Sequence, residues 1–216
     1  MAPSAPSSAN DQGGTDAESH SPEAGRVAAA LGAVATLSAL GGIALAVLLD
    51  PTFSWTADAL SDLGVRDGSA VAFNWGLIAG GAAGVGYAAC LGRAGRPLRA
   101  LLLALAMIAM AGVGLFDLTE PLHGPAAIGF YGLITLVFAA DGWGRRSDPT
   151  GRVALAFAPV HVAVWATFVA GWWPATGLAL PELPGALMLA AWVWVVGPAP
   201  VVGAIRSSPD DPTDGH

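Results

Sequence analysis

Six apolar stretches dominate the chain: Val27 to Leu49, Val71 to Leu91, Leu98 to Phe116, Gly124 to Ala140, Val153 to Trp173 and Pro184 to Ile205. Each is near the roughly 20 residues that a helix needs to cross the hydrocarbon of a bilayer. Lipid offers no partner to an unpaired backbone N–H or C=O, so such a stretch must satisfy its own backbone, and a continuous helix does so. The expected fold is therefore all-α, an integral membrane bundle of six transmembrane helices occupying residues 26–206. Composition agrees, with 54% hydrophobic and 12% charged residues, whereas an ordinary soluble domain carries about twice that share of charge.

The flanks read differently. Residues 1–25 are Pro, Ser, Gly and acid with nothing to bury, and 207–216 are similar, so both are expected to be disordered tails. The first apolar run is too long, and its start too poor in positive charge, for a cleaved signal peptide.

Arginine sets the expected orientation. The turn GRAGRPLR carries Arg93, Arg96 and Arg99, the turn GWGRRSDPTGR carries Arg145, Arg146 and Arg152, and Arg26 and Arg206 flank the first and last spans. The other three loops hold only Arg66. The bias places both termini in the cytoplasm of a cell-membrane protein. The outer loops, 50–70, 117–123 and 174–183, then gather Asp50, Asp58, Asp62, Asp67, Asp117, Glu120 and Glu182.

All nine basic residues are arginine, the net charge is −7, and Ala and Gly abound. This composition suggests a GC-rich, salt-adapted source, archaeal or halophilic. With basic residues confined to short turns, no basic face can track a phosphate backbone, which excludes nucleic acid as a partner. The single cysteine, Cys90, lies within an apolar run with no partner for an intramolecular disulfide and is expected to pack as a small hydrophobe.

Chemistry is expected at the outer loops. In SWTADALSDLG, residues 54–64, Ser54 or Thr56 can cap a short helix and Gly64 can end it. Helical spacing then puts Asp58, Ser61 and Asp62 on one arc and Ala59, Leu60 and Leu63 on the other, an amphipathic helix at the interface anchored by Trp55. The alternative is a loop helix whose acids simply face water. In FDLTEPLHGP, Asp117 and Glu120 would sit one turn apart before Pro121 stops the helix, and His123 precedes span four. A neutral imidazole there can serve as base or metal ligand, or simply bond a loop carbonyl.

His161 falls near the middle of span five, just after Pro159. An ionisable residue at that depth needs a partner inside the bundle and is either functional or bonded to a carbonyl freed by the proline. Asn74 and Glu182 complete the polar set as candidate binding residues with Asp58, while Ser61, Asp62, Asp117, Glu120, His123 and His161 are the candidate catalytic residues. No closed metal motif, P-loop, dinucleotide fingerprint, G-x-S-x-G or C-x-x-C is present. The metal and the cofactor are left unassigned.

The segments DPTFSWTADALSDLGV and FNWGLIAGG, FDLTEPLHGPAAIGFYGL, and the late PELPG resemble the prokaryotic membrane family DUF998 over roughly residues 27–205. Leu60 to Gly64, Phe73, Asn74 and the histidine of H-G-P-A-A carry the likeness. Ser61, Asp62, Gly64, Phe73, His123 and Ala126 to Ala127 also resemble, more faintly, the eukaryotic six-span family of autophagy modulators and a GPI-lipid remodelling factor. Both likenesses imply six spans, and the nearer one implies no reaction. Two functions are carried forward. One is a multi-pass membrane protein without assigned activity, whose outer acidic cluster binds lipid headgroups or locks the bundle, with membrane lipids and a second copy of the chain as expected partners. The other is an intramembrane lipid hydrolase or transferase in which Asp62, Asp117 or Glu120, His123 and His161 converge near the outer leaflet around Ser61.

Overall fold

The computed structural model describes residues 22–206. Six helices long and apolar enough to cross a membrane account for almost all of it. They are α1 (Pro22–Leu49), α2 (Ala70–Arg93), α3 (Pro97–Leu115), α4 (His123–Gly144), α5 (Pro149–Val169) and α6 (Ala179–Ala191). The sixth crossing continues through a π-helical turn, Trp192–Val196, and after a break at residues 197–200 ends in α7 (Val201–Arg206). The break falls on Gly-Pro-Ala-Pro, where two prolines withhold amide donors and clash with a continuing helix. A five-residue 3-10 helix, Leu60–Gly64, stands in the long connection between α1 and α2.

Each of α1 to α5 packs chiefly on its neighbours in the chain, and the α6–α7 segment touches both α5 and α1, so the bundle closes on itself. Connections consequently alternate between two faces. Residues 50–69, 116–122 and 170–178 form an acidic face; 94–96 and 145–148, with the start of α1 and the end of α7, form an arginine face.

The bundle inverts the usual distribution of side chains. Leu48, Ile128 and Val169 are 77–82% exposed, while Ala35, Ala39, Ala46, Ala106 and Ala154 are buried. Helices in lipid gain nothing by hiding leucine from hydrocarbon and associate through close backbone contact at small residues. Gly42 and Gly76 show such a contact, since a Cβ on Gly42 would lie 2.7 Å from the Gly76 Cα and from the Ala72 carbonyl oxygen.

Several boundaries differ from the sequence reading, and three of them have a clear local reason. The first helix begins at Pro22, so residues 22–25 of the expected tail are helical; proline is well placed in a first turn and Glu23 complements the helix dipole there. The remaining tail residues, 1–21 and 207–216, lie outside the described residues. Helix α4 runs on to Gly144 rather than stopping near Ala140, because Asp141 is neutralised within the bundle instead of sitting at the span's end. Helix α3 ends at Leu115, so Asp117 and Glu120 are not one helical turn apart: the Asp117 carboxylate accepts from the Thr119 amide at 2.8 Å and folds the chain into a turn.

Candidate functional site

The acidic face is tied together by backbone. The amides of Thr176 and Gly177 donate to the Thr56 carbonyl at 2.8 and 3.1 Å, and the Ala179 amide donates to the Asp58 carbonyl at 3.0 Å. The loop before α6 therefore lies across the SWTADALSDLG segment. That segment is not the amphipathic helix expected from its spacing. Its first half is a chain of turns, and only LSDLG is helical.

The acids explain the difference, because they bond to backbone close by. The Asp58 carboxylate accepts from the Ser54 amide, and Asp62 accepts from the Ala59 amide, both at 2.7 Å, which caps the 3-10 helix. Such local bonds compete with a regular helix. Ser61 leaves the expected polar arc and is buried with Leu60, Leu63 and Gly64.

Arg66 draws the first loop together through Asp50 and Asp58, each at 2.9 Å. Bonds from Thr52 and then Arg66 hold the Asp50 carboxyl down to about 2, and the same pairing, Asp50 first, raises Arg66. Bonds from Thr119 likewise lower Asp117.

The signature of this segment has a mechanical basis. The Asn74 side-chain amide donates to the Gly64 carbonyl at 2.9 Å. A Cβ on Gly64 would lie 2.6 Å from the Asn74 Oδ1 and 3.0 Å from the Phe73 ring. Glycine, phenylalanine and asparagine thus form one joint between the loop and α2.

Glu182, in the first turn of α6, crosses to the same loop. Its carboxylate accepts from the Leu60 amide at 2.8 Å, and the residue is 6% exposed. His123, the first residue of α4, is 7% exposed and its Nδ1 lies 2.7 Å from the Phe116 carbonyl oxygen. That oxygen can only accept, so Nδ1 donates to it and Nε2 is left without a partner among the described residues. Ser61 is 8% exposed and its hydroxyl has no hydrogen-bond partner among the described residues.

These three residues line one end of an internal cavity. Among the described residues every fully enclosed side-chain nitrogen or oxygen has a partner. The Ser61 and Tyr131 hydroxyls, the His123 Nε2 and the second Glu182 oxygen have none and so open onto space. The cavity runs between α1, α2, α3, α4 and α6, past Phe73, Leu77, Met107 and Phe130, to Tyr87 and Val193. From Phe73 to Tyr87 the rise along α2 is roughly 21 Å. The centre of a water-sized sphere can reach about 80 Å³ of it, several times the roughly 10–15 Å³ that one water needs. It is long, narrow and apolar, with polar groups at the acidic-face end. Two of its other polar residues are engaged: the Tyr87 hydroxyl donates to the Ala199 carbonyl at 3.0 Å, and the Thr36 hydroxyl accepts from the Trp194 indole at 2.7 Å, while Tyr131 lines the cavity with its hydroxyl unpartnered among the described residues.

His161 lies apart from this end and is fully served by side chains rather than by a carbonyl freed at Pro159. The Trp165 indole donates to Nε2 at 3.1 Å, which leaves the proton on Nδ1; Nδ1 meets the Thr135 hydroxyl at 2.8 Å, and that hydroxyl donates to the Tyr131 carbonyl. Helix α5 passes Pro159 unbroken. Of the six candidate catalytic residues, Ser61 and His123 meet at the cavity, while Asp62, Asp117, Glu120 and His161 do not line it. Of the binding candidates Glu182 lines it, whereas Asp58 and Asn74 brace the loop. No group of three His, Cys, Asp or Glu suited to a metal occurs among the described residues.

A second buried cluster escaped the sequence reading. Asp141, with no exposed surface, receives Arg145, Arg99 at 3.3 Å and the Trp192 indole at 2.9 Å. Arg145 also donates to the Val196 carbonyl at 2.7 Å, where the π turn frees an acceptor. The i,i+4 spacing of Asp141 and Arg145 in DGWGR was the available signal.

The fold and cavity define a multi-pass, six-helix membrane protein. Residues 33–199 match the model of a family described as a protein of unknown function, DUF998, and the chain belongs to that family. No curated protein and no solved structure matches it.

Proposed function

We propose that the bundle holds an amphiphilic lipid, its chain in the apolar cavity and its head at Ser61, His123 and Glu182. The supporting observation is the cavity itself: a continuous apolar space lined at one end by unengaged polar groups. Pockets that bind small molecules share that pattern of apolar walls and a few polar groups fixing orientation. The arginine bias supports a cell-membrane location with cytoplasmic termini, which would set the polar end toward the outer leaflet.

The test is lipid retention by the purified full chain, read by native mass spectrometry. Ala186 lines the cavity, whereas Ala163 is exposed on the bundle surface. Wild type and Ala163→Phe are expected to carry one tightly held lipid, and Ala186→Phe to lose it. Equal lipid content in all three would defeat the reading.

Hydrolysis or group transfer on the bound lipid is the second reading, supported by a serine hydroxyl and an unpartnered imidazole nitrogen on the same cavity. Under it, Ser61→Ala retains lipid but releases no acyl chain from an ester lipid that the wild type cleaves. Identical release by both would remove Ser61 from any such role.

A further inference from the structure

The Tyr131 hydroxyl, on α4, opens on the cavity with no hydrogen-bond partner among the described residues. Resting on the lipid-binding reading above, we infer that Tyr131 contacts the ligand directly, its hydroxyl donating to an oxygen of the ligand's polar end, and that His161 is the residue that positions it.

The ring of Tyr131 is held on several sides. It meets Phe130 and Trp165 edge to face, with ring centroids at 4.9 and 5.2 Å, and its centroid lies 5.9 Å from that of His161. On the side of α6 it abuts Gly185, where a Cβ would come within 3.1 Å of the ring. Gly185 follows Glu182 by one turn on the same face of that helix. Side chains on a helix lean toward its N-terminus, and α4 begins at His123. The ring is therefore set toward the end of the cavity that Ser61, His123 and Glu182 line. A tyrosine in such a place has an apolar body already packed and a hydroxyl that still needs a partner.

His161 supplies the support. Among the described residues none of α5 lines the cavity, so this imidazole reaches the ligand space only through α4. It does so twice, by ring contact with Tyr131 and by its Nδ1 on the Thr135 hydroxyl, which donates to the Tyr131 carbonyl at 2.9 Å. The Trp165 indole fixes Nε2 from the other side and lays its own ring on Tyr131. Side chain and backbone of Tyr131 are thus tied to one imidazole, which gives an ionisable residue at mid-span a purpose. A phenol keeps its proton far above neutral pH, so this donor is present whatever the charge of its neighbours. The partner it fits is an oxygen lone pair on the ligand.

The experiment offers the delipidated full chain two probes of equal chain length: a long-chain methyl ketone, which accepts a hydrogen bond but cannot donate one, and the straight alkane, which does neither. Occupancy is read by competitive native mass spectrometry, with Ala186→Phe measuring carry-over from the micelle. The wild type is expected to prefer the ketone by about tenfold. Tyr131→Phe keeps the ring and its packing and should cut that preference by about fivefold, the size of one neutral hydrogen bond. His161→Phe and Thr135→Val, which loosen the support, should each lower the preference in the wild-type background and leave it unchanged in the Tyr131→Phe background, whereas a purely structural loss would be the same in both. Should His161→Phe fail to fold, Thr135→Val carries the same comparison. No ketone preference in the wild type, or an undiminished one in Tyr131→Phe, would overturn the contact while leaving lipid binding in place; equal losses in both backgrounds would overturn the role of His161. Wild-type occupancy by both probes no greater than that of Ala186→Phe would overturn the lipid reading as well.

Discussion

The two faces of the bundle use carboxylates in opposite ways. On the arginine face, Asp141 is enclosed and matched on every side by Arg99, Arg145 and the Trp192 indole. On the acidic face, Glu182 is almost as deeply buried but meets one backbone amide, beside a serine and a histidine with open valences around a cavity. A fully satisfied network rigidifies, whereas a partly satisfied one is costly unless something else fills it. The contrast separates a lock from a receptacle.

The lock should show the larger stability effect. Replacing Asp141 by Ala leaves two arginines facing a vacated interior and frees the Trp192 indole. Removing one partner from a buried ion pair costs about 3–5 kcal/mol. The measurable outcome is a large loss in the thermal midpoint in detergent micelles, with the π turn at Trp192–Val196 losing amide protection first. A midpoint within error of the wild type would erase the distinction between the faces.

Glu182 sharpens the same contrast at smaller scale. Glu182→Ala orphans the Leu60 amide and should cost about 1–3 kcal/mol, whereas Glu182→Gln keeps an acceptor there and should fall within about 0.5 kcal/mol of wild type. Equal destabilisation by both would make the carboxylate a structural member like Asp141 and close the receptacle reading.

How much of this was written in the chain follows from which interactions are local. Six spans were legible because hydropathy over a helix length is a one-dimensional signal, and the runs ended where polar residues or prolines gathered. The LSDLG segment was legible as important but not in its shape. Helical spacing placed Ser61 with Asp58 and Asp62, yet those two acids turned to nearby amides, at Ser54 and Ala59, and let Ser61 rotate inward. His161 was legible as needing a partner, but Thr135 and Trp165 lie on α4 and one turn along α5, and only packing brings the first of them near. The pairing of Leu60 with Glu182 spans 122 residues, beyond any periodicity. Asp141 fell just beyond the fourth apolar stretch, since a carboxylate there ordinarily lies outside a span, while here the helix carries it inward to meet Arg99 of α3 and Arg145 after α4.

The smallest expected effect belongs to the Asp50–Arg66–Asp58 tie, which is neither lock nor receptacle but a clasp on the connecting loop. Because Thr52 and Arg66 bind the ionised form, the Asp50 carboxyl titrates in the folded protein at about 2, against an ordinary 3.8. A depressed acid contributes stability that is complete above the unfolded value and disappears as pH falls through the folded one. The wild type should therefore exceed Asp50→Asn in thermal midpoint at neutral pH. That advantage should hold down to about 3.8, shrink between there and about 2, and vanish below. The sign is opposite for Arg66, whose raised value confines its loss to strongly alkaline solution, so acid probes Asp50 alone within this pair. Any ligand held by the cavity should be unaffected by Asp50→Asn, because the clasp lies outside the cavity wall. A variant that lost both its acid-sensitive margin and its lipid would show that the clasp shapes the receptacle, and the two functions of the acidic face would have to be treated as one.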